Sequence, residues 1–148
     1  MTKSLYLVDV NLLIARLFEG HEHHDVATEW FQTPGLQWAL CPWVEGGFLR
    51  FATRPARLSM SEATGLLEQM ELHPGYHYHT CAANWRALTK PFFRRLHGHK
   101  QVTDAYLLGM AMVDDLILAT FDKRMGHRAS GFYSPVGRTS SIPAQGPP

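Results

Sequence analysis

The chain has 148 residues, 45% of them hydrophobic, enough for one domain with a full core and too few for two. Lys and Arg number 14 against 13 Asp and Glu, a formal charge of +1, so no global charge marks the chain for nucleic acid or an anionic membrane surface. Two isolated cysteines, Cys41 and Cys81, give no disulfide framework, no apolar run reaches the roughly twenty residues of a membrane span, and the N-terminus lacks the apolar core of a signal peptide, so a soluble, cytoplasmic protein is expected.

LYLV, residues Leu5 to Val8, reads as a strand buried on both faces and ends at Asp9. Asn11 opens a short helix that Gly20 stops, and His23 to Phe31 carries Val26, Ala27, Trp30 and Phe31 at helical spacing. Pro34 and Gly35 mark a turn. Trp38 to Cys41 is a second short strand, Pro42 suits the first turn of the helix that follows, and that helix carries Glu45. A capping box from Ser59 or Ser61 starts SEATGLLEQMEL, and Tyr76 to His79 is a weak strand. Ala82 to Leu96 looks helical but holds Pro91, which predicts a kink or two helices. Thr103 caps DAYLLGMAMV, placing Asp104 at a helix start, Asp114 and Asp115 read as turn residues, and Leu116 to Thr120 is a clear strand running towards Asp122. Residues 136–148, rich in Ser, Gly and Pro, read as a loose tail after a single domain of residues 1–135.

Strands alternating with helices predict the α/β class, a mostly parallel sheet with helices on both faces joined by right-handed crossovers. In such sheets sites form beyond the carboxyl ends of strands, at the point where strand order reverses. Asp9, Glu45, Asp104 and Asp122 could all meet there. Taken singly each has an ordinary reading: a turn residue, a favourable charge in a first helical turn, a solvated helix residue. Together they are a set of hard oxygen donors whose mutual repulsion a divalent cation would remove.

The order of these motifs resembles the PIN-domain ribonucleases, most closely the VapC-type toxins of bacterial toxin and antitoxin pairs. The resemblance is carried by the apolar strand into Asp9 with Asn11 two residues on, Glu45 before GGFLR and a Thr-Arg-Pro-Ala loop, T-D-A-Y-L-L at Asp104, and A-T-F-D at Asp122; it spans roughly Leu5 to Tyr133. It implies a PIN-like three-layer fold and an acidic metal site of Asp9, Glu45, Asp104 and Asp122, supported by Asn11 and Thr120. It further implies hydrolysis of RNA phosphodiester bonds with one or two Mg²⁺ or Mn²⁺ ions, with Asp9 and Asp104 as principal ligands and Glu45 and Asp122 acting through water or a second ion. A cognate antitoxin reaching across the cleft and a homodimer are implied by the resemblance alone.

Cations adjoin each motif: Arg50, Arg54 and Arg57 after Glu45; Arg94, Arg95 and Lys100 before Asp104; Lys123 and Arg124 beside Asp122. As a set they suit an RNA backbone, and singly each is as well read as a solvated face or an antitoxin contact. His21, His23 and His24 lack a nearby Cys, so a loop and helix start, with His24 lining the cleft, is preferred to zinc. His77 and His79 read as surface or interface residues. Trp30, Trp43, Trp85, Phe92 and Phe93 read as core or interface, with base stacking by Phe92 and Phe93 a lesser reading, and Leu66, Leu67 and Met70 as a possible exposed stripe for dimerisation or antitoxin docking. The competing functions are another PIN-fold nuclease acting in RNA processing or on DNA flaps, a catalytically silent binding module, and a haloacid dehalogenase-like phosphatase. The phosphatase motif needs a second Asp where this chain has Asn11, and a silent module would be expected to have lost one of the four acids.

Overall fold

The centre of the molecule is built from three apolar tetrapeptides, β1 (Leu5–Val8), β2 (Gln37–Leu40) and β4 (Ile117–Thr120), each with its last three residues buried. In the computed structural model, which describes residues 4–96, 98–122 and 133–136, they join two edge strands, β3 (Tyr76–Tyr78) and β5 (Tyr133–Pro135). The strand order is β3-β2-β1-β4-β5 and every pairing is parallel. Strands covered on both sides have no polar face to alternate with, which is why they read as continuous apolar runs.

Helices α1 (Val10–Leu17) and α2 (His24–Phe31) link β1 to β2, while α3 (Pro42–Thr53) and α4 (Met60–Glu71) link β2 to β3. Helices α5 (Trp85–Thr89) and α6 (His99–Asp114) lead back across the sheet to β4. Helix α1 packs on α2 and α3, α3 on α4, and α5 on α6. With right-handed crossovers, α1 to α4 cover one face and α5 and α6 the other, the expected three layers. Two glycines allow close packing. A Cβ on Gly47 would lie 2.9 Å from Val10 Cγ2, so glycine lets α3 approach the start of α1, and one on Gly109 would lie 2.0 Å from the Leu88 carbonyl oxygen, so α6 can lie against α5.

Several local signals act as expected. Ser59 caps α4 in a full capping box with Glu62, Pro42 opens α3, and Pro91 ends α5, after which Lys90–Arg95 continues as a 3₁₀ segment. Other expectations are corrected. Thr103 does not cap a helix: α6 starts at His99, after an extended Gly98 at the cap position, so Thr103 and Asp104 lie in its second turn. The polar run His99 to Gln101 opens the first turn without an apolar signal to announce it. Leu67 and Met70 are buried in the core rather than displayed as a stripe. Strand β5 was not expected. Its three residues, one a proline, show no strand pattern, and it is held by parallel pairing of Leu118 to Thr120 with Tyr133 to Pro135. Val136 is buried and donates its N–H to the Thr120 carbonyl; residues 137–148 of the expected tail lie outside the described residues. No helix among the described residues is long and apolar enough to cross a membrane.

His73, in the turn after α4, ties the amino end of the sheet together. Its Nδ1 accepts from the Trp38 indole N–H at 3.1 Å and from the Gly75 N–H at 2.9 Å, so its Nε2 carries the proton and donates to the Phe31 carbonyl at 2.8 Å. Trp38 is fully buried, and removing the imidazole leaves its indole N–H without an acceptor. His73→Ala is expected to destabilise the fold by about 2 kcal/mol, measured as a fall in the urea midpoint; an unchanged midpoint would show that the three bonds carry no net stability.

Candidate active site

Strand order reverses between β1 and β4: the chain leaves β1 towards β2 and, once it has reached β4, continues to β5 on the other side. This is the switch point at which α/β sheets form their sites. The β1–β4 ladder runs one residue past β1, because the Asp9 N–H bonds the Ala119 carbonyl at 3.0 Å, and Asp9 therefore comes alongside Thr120.

The Asp9 side chain is held at both oxygens. Thr120 donates its hydroxyl to Oδ2 at 2.6 Å, and the Val10 N–H donates to Oδ1 at 2.7 Å, with Asp9 as the N-cap of α1. The Thr120 oxygen in turn accepts the Asp122 backbone N–H at 3.1 Å. One hydroxyl thus fixes a carboxylate on β1 and the turn that presents a second carboxylate after β4. Asp9 is only 6% exposed, and burial holds its carboxyl above the ordinary range, with the charge of Asp122 raising it further; the bonds from Thr120 and Val10 oppose both.

Glu45 lies in the first turn of α3, beyond the end of β2. Burial raises its pKa, and the charge that adds to this is Glu71 at the end of α4. Tyr76 on β3 is pushed up to about 12 by burial and then by Glu45 and Glu71. Two charge couplings result, Asp9 with Asp122 at the β1–β4 junction and Glu45 with exposed Glu71 at the end of α4. Asp104 is half-buried in α6. Among the described residues, no three His, Cys, Asp or Glu side chains stand close enough to hold a metal ion by themselves. A cation at Asp9 and Asp122 would find hard oxygen donors, a carboxylate with unused lone pairs and a repulsion to relieve, and would need water to complete its shell, as Mg²⁺ ordinarily does.

The remaining expected residues are placed as follows. Asn11 is exposed, and the bonds described for the Asp9 carboxylate come from Thr120 and Val10 instead. Arg54, Arg57 and Arg94 are exposed, and exposed Arg50 has its guanidinium 5.5 Å from the Trp43 ring centre. Lys123 and Arg124 lie outside the described residues, as do the side chains of Arg95 and Lys100. Phe92 is buried and Phe93 exposed; Trp43, Trp85 and Tyr106 form an aromatic cluster with Trp85 stacked on Tyr106. His79 Nε2 and Asp114 Oδ2 make a half-buried hydrogen bond at 2.6 Å, while exposed His77 meets Gln37 at 2.7 Å. Asp114 is the last residue of α6 and Asp115 its left-handed cap. The His24 ring ties α2 to α1: its Nδ1 donates to the Ala15 carbonyl at 2.8 Å and its Nε2 lies 3.4 Å from the Thr28 hydroxyl. The neighbouring His23 has its ring 4.8 Å from that of Phe121, which follows Thr120 at the end of β4. Sequence offered no signal to choose between these neighbours.

The PIN domain family model matches residues 6–130. Ribonuclease VapC29 of Mycobacterium tuberculosis is 31% identical over 121 residues, covering 82% of this chain and 88% of the relative. Ribonuclease VapC44 of the same organism is 36% identical over 123 residues, covering 79% and 85%. Among solved structures, VapC20 of Mycobacterium tuberculosis, a Sarcin-Ricin loop cleaving toxin, is similar with a TM-score of 0.64 at 14% identity over 86% of this chain and 95% of that one. VapBC2 of Rickettsia felis, bound to a DNA fragment from their promoter, gives 0.64 at 9% identity over 88% and 98%. At those identities the structural likeness speaks for the fold.

A native Asp9 pKa above its unfolded value means that the folded state binds the proton more tightly. The resulting penalty is absent below the ordinary carboxylate range and grows as pH rises through the native pKa. Asp9→Asn, neutral at every pH, is therefore expected to be more stable than the wild type at about pH 7 and to lose that advantage at about pH 4. Urea unfolding of both proteins in chelator at the two pH values reads this directly, and a stability difference independent of pH would contradict it.

Proposed function

The chain belongs to the PIN-domain family, and from that premise we propose that it is a metal-dependent endoribonuclease, the toxin of a VapBC-type toxin and antitoxin pair. The observation that carries the chemistry is the buried Asp9 carboxylate, fixed at both oxygens with Asp122 beside it. Its relatives named Ribonuclease VapC, which align over about four-fifths of the chain, support RNA as the substrate class.

A bound Mg²⁺ or Mn²⁺ would supply an activated water and neutralise charge on the phosphate. The chain's part is to hold the ligands still. Thr120 orients Asp9 so that lone pairs not used by Thr120 and Val10 remain for a cation, and the same hydroxyl fixes the turn that carries Asp122. Asp9 and Asp104 would be the principal ligands, and Glu45 and Asp122 would act through water or a second ion. Exposed Arg50, Arg54 and Arg94 are available to hold phosphates of the RNA backbone, which sets affinity and its salt dependence rather than sequence preference. The antitoxin partner and a homodimer belong to the same proposal; the structural neighbours named VapBC support the first.

Purified protein free of antitoxin is expected to cut total cellular RNA at discrete positions with Mg²⁺ or Mn²⁺ and not with EDTA. Asp9→Asn and Asp104→Asn should each lower cleavage by more than about a hundredfold, since removing even a supporting residue around a metal costs tenfold to a hundredfold. Either ion should also raise the Tm of the wild type and not that of Asp9→Asn. Cleavage that survives EDTA, or full activity in both variants, would refute the metal-site assignment; folded wild type without metal-dependent cleavage would favour the binding module.

A further inference from the structure

Phe121 follows Thr120, which bonds Asp9, and precedes Asp122, so it sits just past the carboxyl end of β4. Against it lies the imidazole of His23, from the loop between α1 and α2, with ring centres 4.8 Å apart and planes tilted by 32°. His23 is the N-cap residue of α2, yet its side chain makes no capping bond, so the helix does not use this imidazole. Its backbone is pinned: the His23 N–H donates to His21 Nδ1 at 3.0 Å, the His24 N–H to the His21 carbonyl at 3.0 Å, and the Ala27 N–H to the His23 carbonyl at 3.0 Å. The His21 ring lies 5.7 Å away on another side, and exposed Glu22 approaches Nε2 at 3.4 Å. The His23 side chain remains 46% exposed. The result is a flat ring, backed by an aromatic, held by a fixed backbone and open to solvent near the carboxyl end of β4.

We propose that His23, backed by Phe121, is a stacking shelf that seats the nucleobase next to the scissile bond; the inference rests on the ribonuclease reading and makes His23 a substrate-binding residue of that same site. A polyanion cannot gain affinity from a row of carboxylates, so a nucleotide beside them needs an uncharged means of attachment. Base stacking on an aromatic ring supplies one whatever the base, and a ring already backed and fixed loses little freedom when the base arrives. Stacking also explains why an exposed imidazole is packed on a phenyl ring instead of pointing freely into water.

The test uses full-length protein and a short labelled oligoribonucleotide spanning one of the cuts mapped on cellular RNA, with Mg²⁺ and with the wild type as control. His23→Ala is expected to raise KM about tenfold, at the low end of one base–aromatic stack, while kcat changes less than about threefold. His23→Phe should restore most of the loss because it keeps the ring, and His23→Gln, which keeps a hydrogen-bonding group without a ring, should not. Circular dichroism and Tm show whether each variant is folded. A KM unchanged in folded His23→Ala, with wild type active, overturns the shelf and leaves the ribonuclease reading standing. Rescue by Gln and not by Phe also overturns it, in favour of a polar contact. No metal-dependent cleavage by the wild type removes the ribonuclease reading and the shelf with it.

Discussion

The hydrogen bond from Thr120 to Asp9 joins residues 111 positions apart and sets the geometry of the whole acidic edge. It forms only because β1 and β4 pair in parallel at a register that brings the residue after β1 beside the last residue of β4. That register depends on apolar residues alone: a slip of one position would turn buried Leu7 and Leu118 to the wrong faces of a sheet covered on both sides. Core packing therefore positions the Asp9 carboxylate, and the carboxylate does not pack the core.

A charged group at this place costs stability. Asp9 is desolvated, Asp122 repels it, and two hydrogen bonds only partly offset both. Were folding the sole requirement, an uncharged residue would serve better at the end of β1. Local violations of this kind are tolerated where the surrounding structure is strong enough to enforce them, and here the neighbours are the most deeply buried strands of the sheet. The same penalty would favour a bound cation, since the free energy released when the repulsion is relieved would add to binding.

The α/β class, the parallel sheet and its central strands were legible because strands buried on both faces leave continuous apolar runs, and because Pro42, Pro91 and the Ser59 capping box act within a few residues of themselves. What escaped depended on distant partners. Strand β5 exists by pairing with β4 and has no pattern of its own. The early start of α6 is polar and silent. Leu67 and Met70 have helical spacing whether they face the core or solvent, and only the position of the rest of the fold decides. At the site, Asp9 and Thr120 could be named from the order of motifs, but the split between an Asp9–Asp122 coupling and a Glu45–Glu71 coupling is a matter of where helix ends fall, which sequence spacing does not encode.

That split bears on how a nuclease could work here. The whole chain is nearly neutral, at +1, yet Asp9 feels the charge of Asp122, and Tyr76 the charges of Glu45 and Glu71. On the proposed reading the acidic edge would repel RNA until cations entered it, because like charges interact strongly where water is partly excluded. Substrate affinity and ligand charge would then be coupled: the step that prepares the chemistry would also admit the polyanion. Groups that bind RNA without altering this coupling must be uncharged or stand outside the acidic edge, as an aromatic ring or an exposed arginine does. A nuclease built on this edge would thus separate two roles by position, with charge control at the ends of β1 and β4 and attachment on the loops and helix surfaces around them.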